Sequence, residues 1–155
     1  MSECPIRDFL AGRGRDGRGR SLDAVLAFDD HVLEAVHDYI QWLFPLPEAS
    51  RAVPGAPVLA PGEAEAIRAD PAAQAGLGRA LARMTRFYGA TEAWLVPFDH
   101  NHLRITRILA ATRALVGEAE ARAFHAAVTA RDAAAGSPVN DASRGYWDRA
   151  LWGEA

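Results

Sequence analysis

Apolar residues in this chain recur every three to four positions, and no stretch shows the two-residue alternation of a half-buried strand. That pattern restricts the fold to helices packed on helices. Capping residues, prolines and glycines divide the pattern into segments. Cys4 to Leu10 makes a short turn with Phe9 and Leu10 as docking residues, and Ser21 caps Leu22 to Phe28. Asp29 or Asp30 starts a helix running to about Phe44. Five prolines between Pro45 and Pro61 then hold an irregular connection. Helices follow over Gly62 to Ala69, Pro71 to Tyr88 (capped by Asp70, closed by Gly89), Asp99 to near Gly117, Glu118 to Ala134 and Ser143 to Trp152. Trp94 to Phe98 reads as a short extended piece. The prediction is an all-α, compact single-domain helical bundle of about six or seven helices over residues 1–155, with residues 1–20 a partly flexible arm.

A chain of 155 residues, half of them hydrophobic, can bury a core without metal or disulfide staples. Cys4 stands alone, so no internal disulfide forms; a reducing, cytoplasmic setting is expected. No apolar run approaches the length of a membrane span, and no secretory leader is expected. The net charge of −3 argues against nucleic acid as a partner. All seventeen basic residues are arginine. Four of them, Arg13, Arg15, Arg18 and Arg20, alternate with glycines and Asp16, which reads as a solvated loop.

Two stretches carry more hydrogen-bonding groups than core helices need. The first, His37-Asp38-Tyr39-Ile40-Gln41-Trp42-Leu43-Phe44-Pro45, sits on the Asp30 to Phe44 wheel with Val32, Leu33, Val36, Ile40, Leu43 and Phe44 on one apolar arc. Trp42 falls off that arc, where the proline-rich segment could cover it. The second opens with Asp99-His100-Asn101-His102. Its wheel shows a wide apolar face (Ile105, Ile108, Leu109, Leu115, Val116), a narrower stripe (Leu103, Ala110, Ala114) and a polar seam of His100, Arg104 and Arg107. A helix apolar on two sides is expected at the centre of its bundle. Buried guanidinium groups need partners. Glu34 and Asp38 are the candidates, in a sealed ion-pair network or around a cationic pocket for a carboxylate or phosphate. His100 and His102, two apart on a helix, point away from each other, and no metal or cofactor is called for.

HDYIQWLFPL from His37, HNHLRITRIL from His100 and Phe87-Tyr88-Gly89 together resemble the conserved region of the opioid growth factor receptor family. The resemblance extends over nearly the whole chain. It implies a relation to animal proteins described as binding an enkephalin-type peptide and restraining proliferation from a nuclear or perinuclear position. No ligand-contacting residue of that family carries over position by position.

The reading that follows is a noncatalytic binding module for a small anionic molecule or peptide. Candidate ligand-binding residues are His37, Gln41, Trp42, His100, Asn101, Arg104 and Arg107. The arginines would meet negative charge, the amides would set orientation, and Trp42 would supply an apolar wall. The alternatives are an enzyme using His37 or His100 as acid or base, or a scaffold. The aromatic end helix with Tyr146, Trp147 and Trp152 also offers a surface for a homo-oligomer.

Overall fold

The computed structural model describes residues 2–153. Those residues form nine helices and no strand: α1 Pro5–Leu10, α2 Leu22–Leu26, α3 Asp30–Ala35, α4 Ile40–Leu43, α5 Pro61–Ala69, α6 Pro71–Ala90, α7 Asn101–Leu115, α8 Glu118–Ala134 and α9 Asp141–Trp152. The chain divides within α6 into two compact units, residues 1–80 and 81–155. No helix among the described residues is long and apolar enough to cross a membrane.

Helix starts follow local chemistry. Ser21 accepts the Ala24 N–H, Asp29 that of Val32, and Asn140 that of Ser143, each satisfying an amide the helix leaves unpaired. Pro71 opens α6, with Asp70 Oδ1 accepting from Ala72 and Ala73. Gly153, left-handed at φ 75°, closes α9. Gly89, expected to end α6, lies one residue inside it.

The helix expected from Asp30 to Phe44 is instead two, α3 and α4, separated by residues 36–39. Val36 is extended at φ −91° and ψ 134°. Two sets of side-chain bonds favour the break over continuous helix. The buried Tyr39 hydroxyl donates to the Leu33 carbonyl at 2.6 Å, and Asp38 binds Arg18 and Arg20. The single helical wheel drawn across this segment therefore does not hold.

In the first unit α1 packs on α4 and α5. Ile6, Phe9 and Leu10 are buried on α1, Ile40 and Leu43 on α4, and Ile67 on α5. Burial of such side chains stabilises by about 1.5–3 kcal/mol each. Glu63, buried on α5, reaches the start of α1, where its Oε2 accepts the N–H groups of Ile6 at 2.8 Å and Arg7 at 3.2 Å. The loop after α1 is fastened by Asp16, whose Oδ1 accepts from the Arg18 and Arg20 amides while Oδ2 takes Arg20 Nε at 2.7 Å. Leu59 N–H donates to Leu46 at 2.9 Å and closes most of the proline-rich connection into a loop.

In the second unit α7 packs on α8 and α9, and α8 on α9. Trp94, Trp147, Tyr88 and Phe124 are buried, with Tyr88–Trp94 centroids at 5.4 Å and Trp94–Trp147 at 6.4 Å. Ile105, Ile108, Leu109 and Leu115 are buried on α7, as its wide apolar face requires. The narrower stripe is not: Leu103 is 67% exposed and Ala114 faces solvent. The expectation of a helix covered on both sides is corrected here.

Candidate functional site

Gln41 and Trp42 lie on α4, whose single turn is set by the buried Ile40 and Leu43. Gln41 is buried, and its Oε1 has no hydrogen-bond partner among the described residues. Trp42 is half-buried. Its ring meets Phe9 edge-on, centroids 5.5 Å apart. Across the indole edge lies Gly17, placed so that a Cβ there would sit 3.8 Å from Cζ2 and 3.9 Å from Nε1. No acceptor among the described residues takes the indole N–H.

Gly17 leads into Arg18, whose side chain is 73% exposed and whose Nε donates to Asp38 Oδ2 at 2.8 Å. Arg20 Nη2 binds Asp38 Oδ1 at 2.9 Å. Asp38, expected opposite the α7 arginines, thus engages both carboxylate oxygens with the glycine–arginine loop. Burial pushes its carboxyl up, but the hydrogen bonds from Arg18 and Arg20 outweigh that and hold it below the usual carboxylate range. His37, two residues upstream of Tyr39, is exposed. In this unit the structure brings Trp42 together with Gly17, the residue before Arg18. Arg18 stood out in the sequence only as one of four arginines in a loop that reads as solvated, and Gly17 not at all. The usable signal was glycine beside arginine ahead of an unplaced tryptophan.

The second-motif residues lie in the other unit. Asn101 is buried, with its Oδ1 accepting from the Tyr88 hydroxyl at 3.0 Å and its Nδ2 donating to Asp99 Oδ2 at 2.8 Å. Asp99 Oδ2 also accepts the Asn101 N–H at 3.0 Å, capping the helix start. His100 is exposed, its Nδ1 3.8 Å from Asp99. Arg104 is buried and Arg107 half-buried on successive turns of α7.

His102, absent from the candidate set, is the deeply placed histidine of this helix. Its Nε2 lies 2.8 Å from the Trp94 carbonyl, and its own carbonyl accepts from Trp147 Nε1 at 3.0 Å. A carbonyl only accepts, so Nε2 carries the proton. That geometry ties α7 to α9 and to the turn before α7. Trp147 is therefore a core residue, while Tyr146 and Trp152 stay half exposed beneath the guanidinium groups of Arg149 at 4.8 Å and Arg122 at 4.7 Å.

Comparison with known proteins gives one family. The opioid growth factor receptor (OGFr) conserved region matches residues 24–130, well over half of the chain, and includes both polar motifs. No curated protein and no solved structure gives a significant match. An all-helical chain matched across that span belongs to the opioid growth factor receptor conserved-region family.

Proposed function

We propose that this chain is a noncatalytic, opioid growth factor receptor-like binding domain for a small anionic molecule or short peptide, received on the Trp42 surface of the first unit. The observation that carries this reading is the Trp42 indole, only partly buried and with no acceptor for its N–H among the described residues. The adjacent loop supplies the rest. Arg18 presents an exposed side chain whose guanidinium is held by Asp38 through Nε, and its terminal nitrogens have no acceptor among the described residues. Gly17, lacking a side chain, leaves the indole edge open. A carboxylate that accepts from both the guanidinium and the indole N–H satisfies both, and its charge-assisted bond to Arg18 is stronger than a neutral hydrogen bond. Gln41 adds a buried acceptor on the same helical turn, suited to a ligand amide once the site adjusts.

Native mass spectrometry of protein purified from its source tests this, with Trp42→Leu and Arg18→Gln purified in parallel. A retained anionic compound or peptide on the wild type, lost from both variants, is the expected result. A ligand retained equally by all three proteins would place binding elsewhere.

A further inference from the structure

We propose a second ligand site, in the groove between the C-terminal half of α6 and α8, for a small carboxylate with a short apolar tail. The groove encloses about 260 Å³ and is walled by Thr85, Tyr88 and Gly89 on one side and by Val128 and Arg131 on the other. Its floor is apolar, because the Tyr88 and Val128 side chains are buried and the Thr85 hydroxyl is turned to the Leu81 carbonyl at 2.8 Å. Gly89 keeps one wall low: a Cβ there would meet nothing within 4 Å.

Arg131 gives the groove its polarity. Nη2 donates to the Thr91 carbonyl at 3.4 Å and lies 3.7 Å from Glu92, which anchors one edge of the guanidinium. Nε is closed off from solvent and has no acceptor, and Nη1 has none among the described residues. Nη1, unmatched and not closed off, is the donor that an incoming carboxylate meets. The Glu92 side chain is almost wholly exposed, so its pairing is a weak rim contact that a ligand carboxylate displaces. The carbonyl ends of α6 and α8 lean the other way, but their partial charge is smaller than the full charge of Arg131. Size selects the class. A water molecule takes about 30 Å³ in the liquid, so the volume corresponds to about eight or nine waters, room for a short acid such as a six-carbon one and too little for a nucleotide.

Titration of isotope-labelled protein with hexanoate, followed by amide NMR, tests the site, with hexanol as the uncharged probe. Hexanoate is expected to shift the Gly89 and Arg131 amides and to bind at least about tenfold more tightly than hexanol. Arg131→Met is expected to weaken hexanoate by about the same factor. Gly89→Leu fills open space, so it is expected to abolish binding without lowering the thermal midpoint, and it decides the matter alone if Arg131→Met fails to fold. Equal binding of hexanol, or unchanged hexanoate affinity in the folded variants, overturns the proposal.

Discussion

Gly76 on α6 runs so close beneath Leu10 on α1 that a Cβ built on it would stand 1.9 Å from the Leu10 carbonyl oxygen. Glycine inside a helix ordinarily costs about 1 kcal/mol relative to alanine. Here the contact reverses the sign, because the neighbour is backbone and cannot rotate away. Gly76→Ala gains the propensity term but forces the two helices apart, which costs typically about 1–3 kcal/mol. Gly78, two residues on, has nothing within 4 Å. Urea denaturation is expected to show Gly76→Ala less stable than wild type and Gly78→Ala more stable by about 0.5–1 kcal/mol. Equal stabilisation by both would mean the close approach does not exist in solution.

Glu63 does for α1 what a local cap does elsewhere. Helix α1 has only six residues and no side-chain cap from Cys4, so its first amides depend on the carboxylate supplied from α5. Glu63→Ala leaves those amides buried and unmet. The expected loss is about 1–3 kcal/mol, read as a lower urea midpoint. Glu63→Gln keeps an acceptor oxygen at the same reach and is expected to lose less than half as much. Equal losses in Glu63→Gln and Glu63→Ala would mean that the acceptor oxygen does not hold the α1 amides.

Helix α8 could be read from sequence, from Glu118 to about Ala134, because its apolar spacing, acidic first turn and Gly136-Ser137-Pro138 stop all agree. The break between α3 and α4 could not. Val32, Leu33, Val36, Ile40 and Leu43 keep helical spacing straight through it. The break is favoured by the Tyr39 hydroxyl on the Leu33 carbonyl and by Asp38 binding arginines eighteen and twenty residues away, and apolar spacing encodes neither. The same holds for the candidate site. Gln41 and Trp42 announce themselves by composition, whereas Gly17 and Arg18 matter only through the fold that lays their loop on the indole. Arg131 looked like any basic residue in the last turn of a helix, because its unmet Nε is a property of packing.

His102 makes a structural prediction distinct from that of its neighbour. Its protonated Nε2 meets the Trp94 carbonyl while its ring stands edge-on to Trp147, centroids 6.0 Å apart. His102→Leu removes the donor and leaves a buried carbonyl unpaired, for an expected loss of about 1–3 kcal/mol. His100→Leu touches an exposed side chain and is expected to change stability by no more than about 0.5 kcal/mol. Thermal unfolding of the two variants side by side makes the comparison. A larger loss at His100 would contradict the placement of both rings.

Asp38 links acid stability to the proposed Trp42 site. Its carboxyl is held below the ordinary value of about 3.9 because the bonds from Arg18 and Arg20 outweigh burial. A carboxylate whose folded pKa is lowered contributes stability that is fully present above its unfolded pKa. That contribution is lost as pH falls through the lower folded value. The affected window therefore lies below about pH 4. Arg20→Gln removes the less exposed of the two partners, so Asp38 is expected to titrate at higher pH, and its share of the acid loss of stability to be smaller and complete at a higher pH. Carboxyl carbon NMR follows the titration at Asp38, and urea midpoints taken between about pH 5 and pH 2 follow the stability. The Arg18 partner is mostly exposed, so added salt is expected to weaken its pairing more than that of Arg20. If Asp38 titrates identically in wild type and Arg20→Gln, the carboxylate does not orient the arginine loop, and Arg18 loses the alignment on which its proposed role rests.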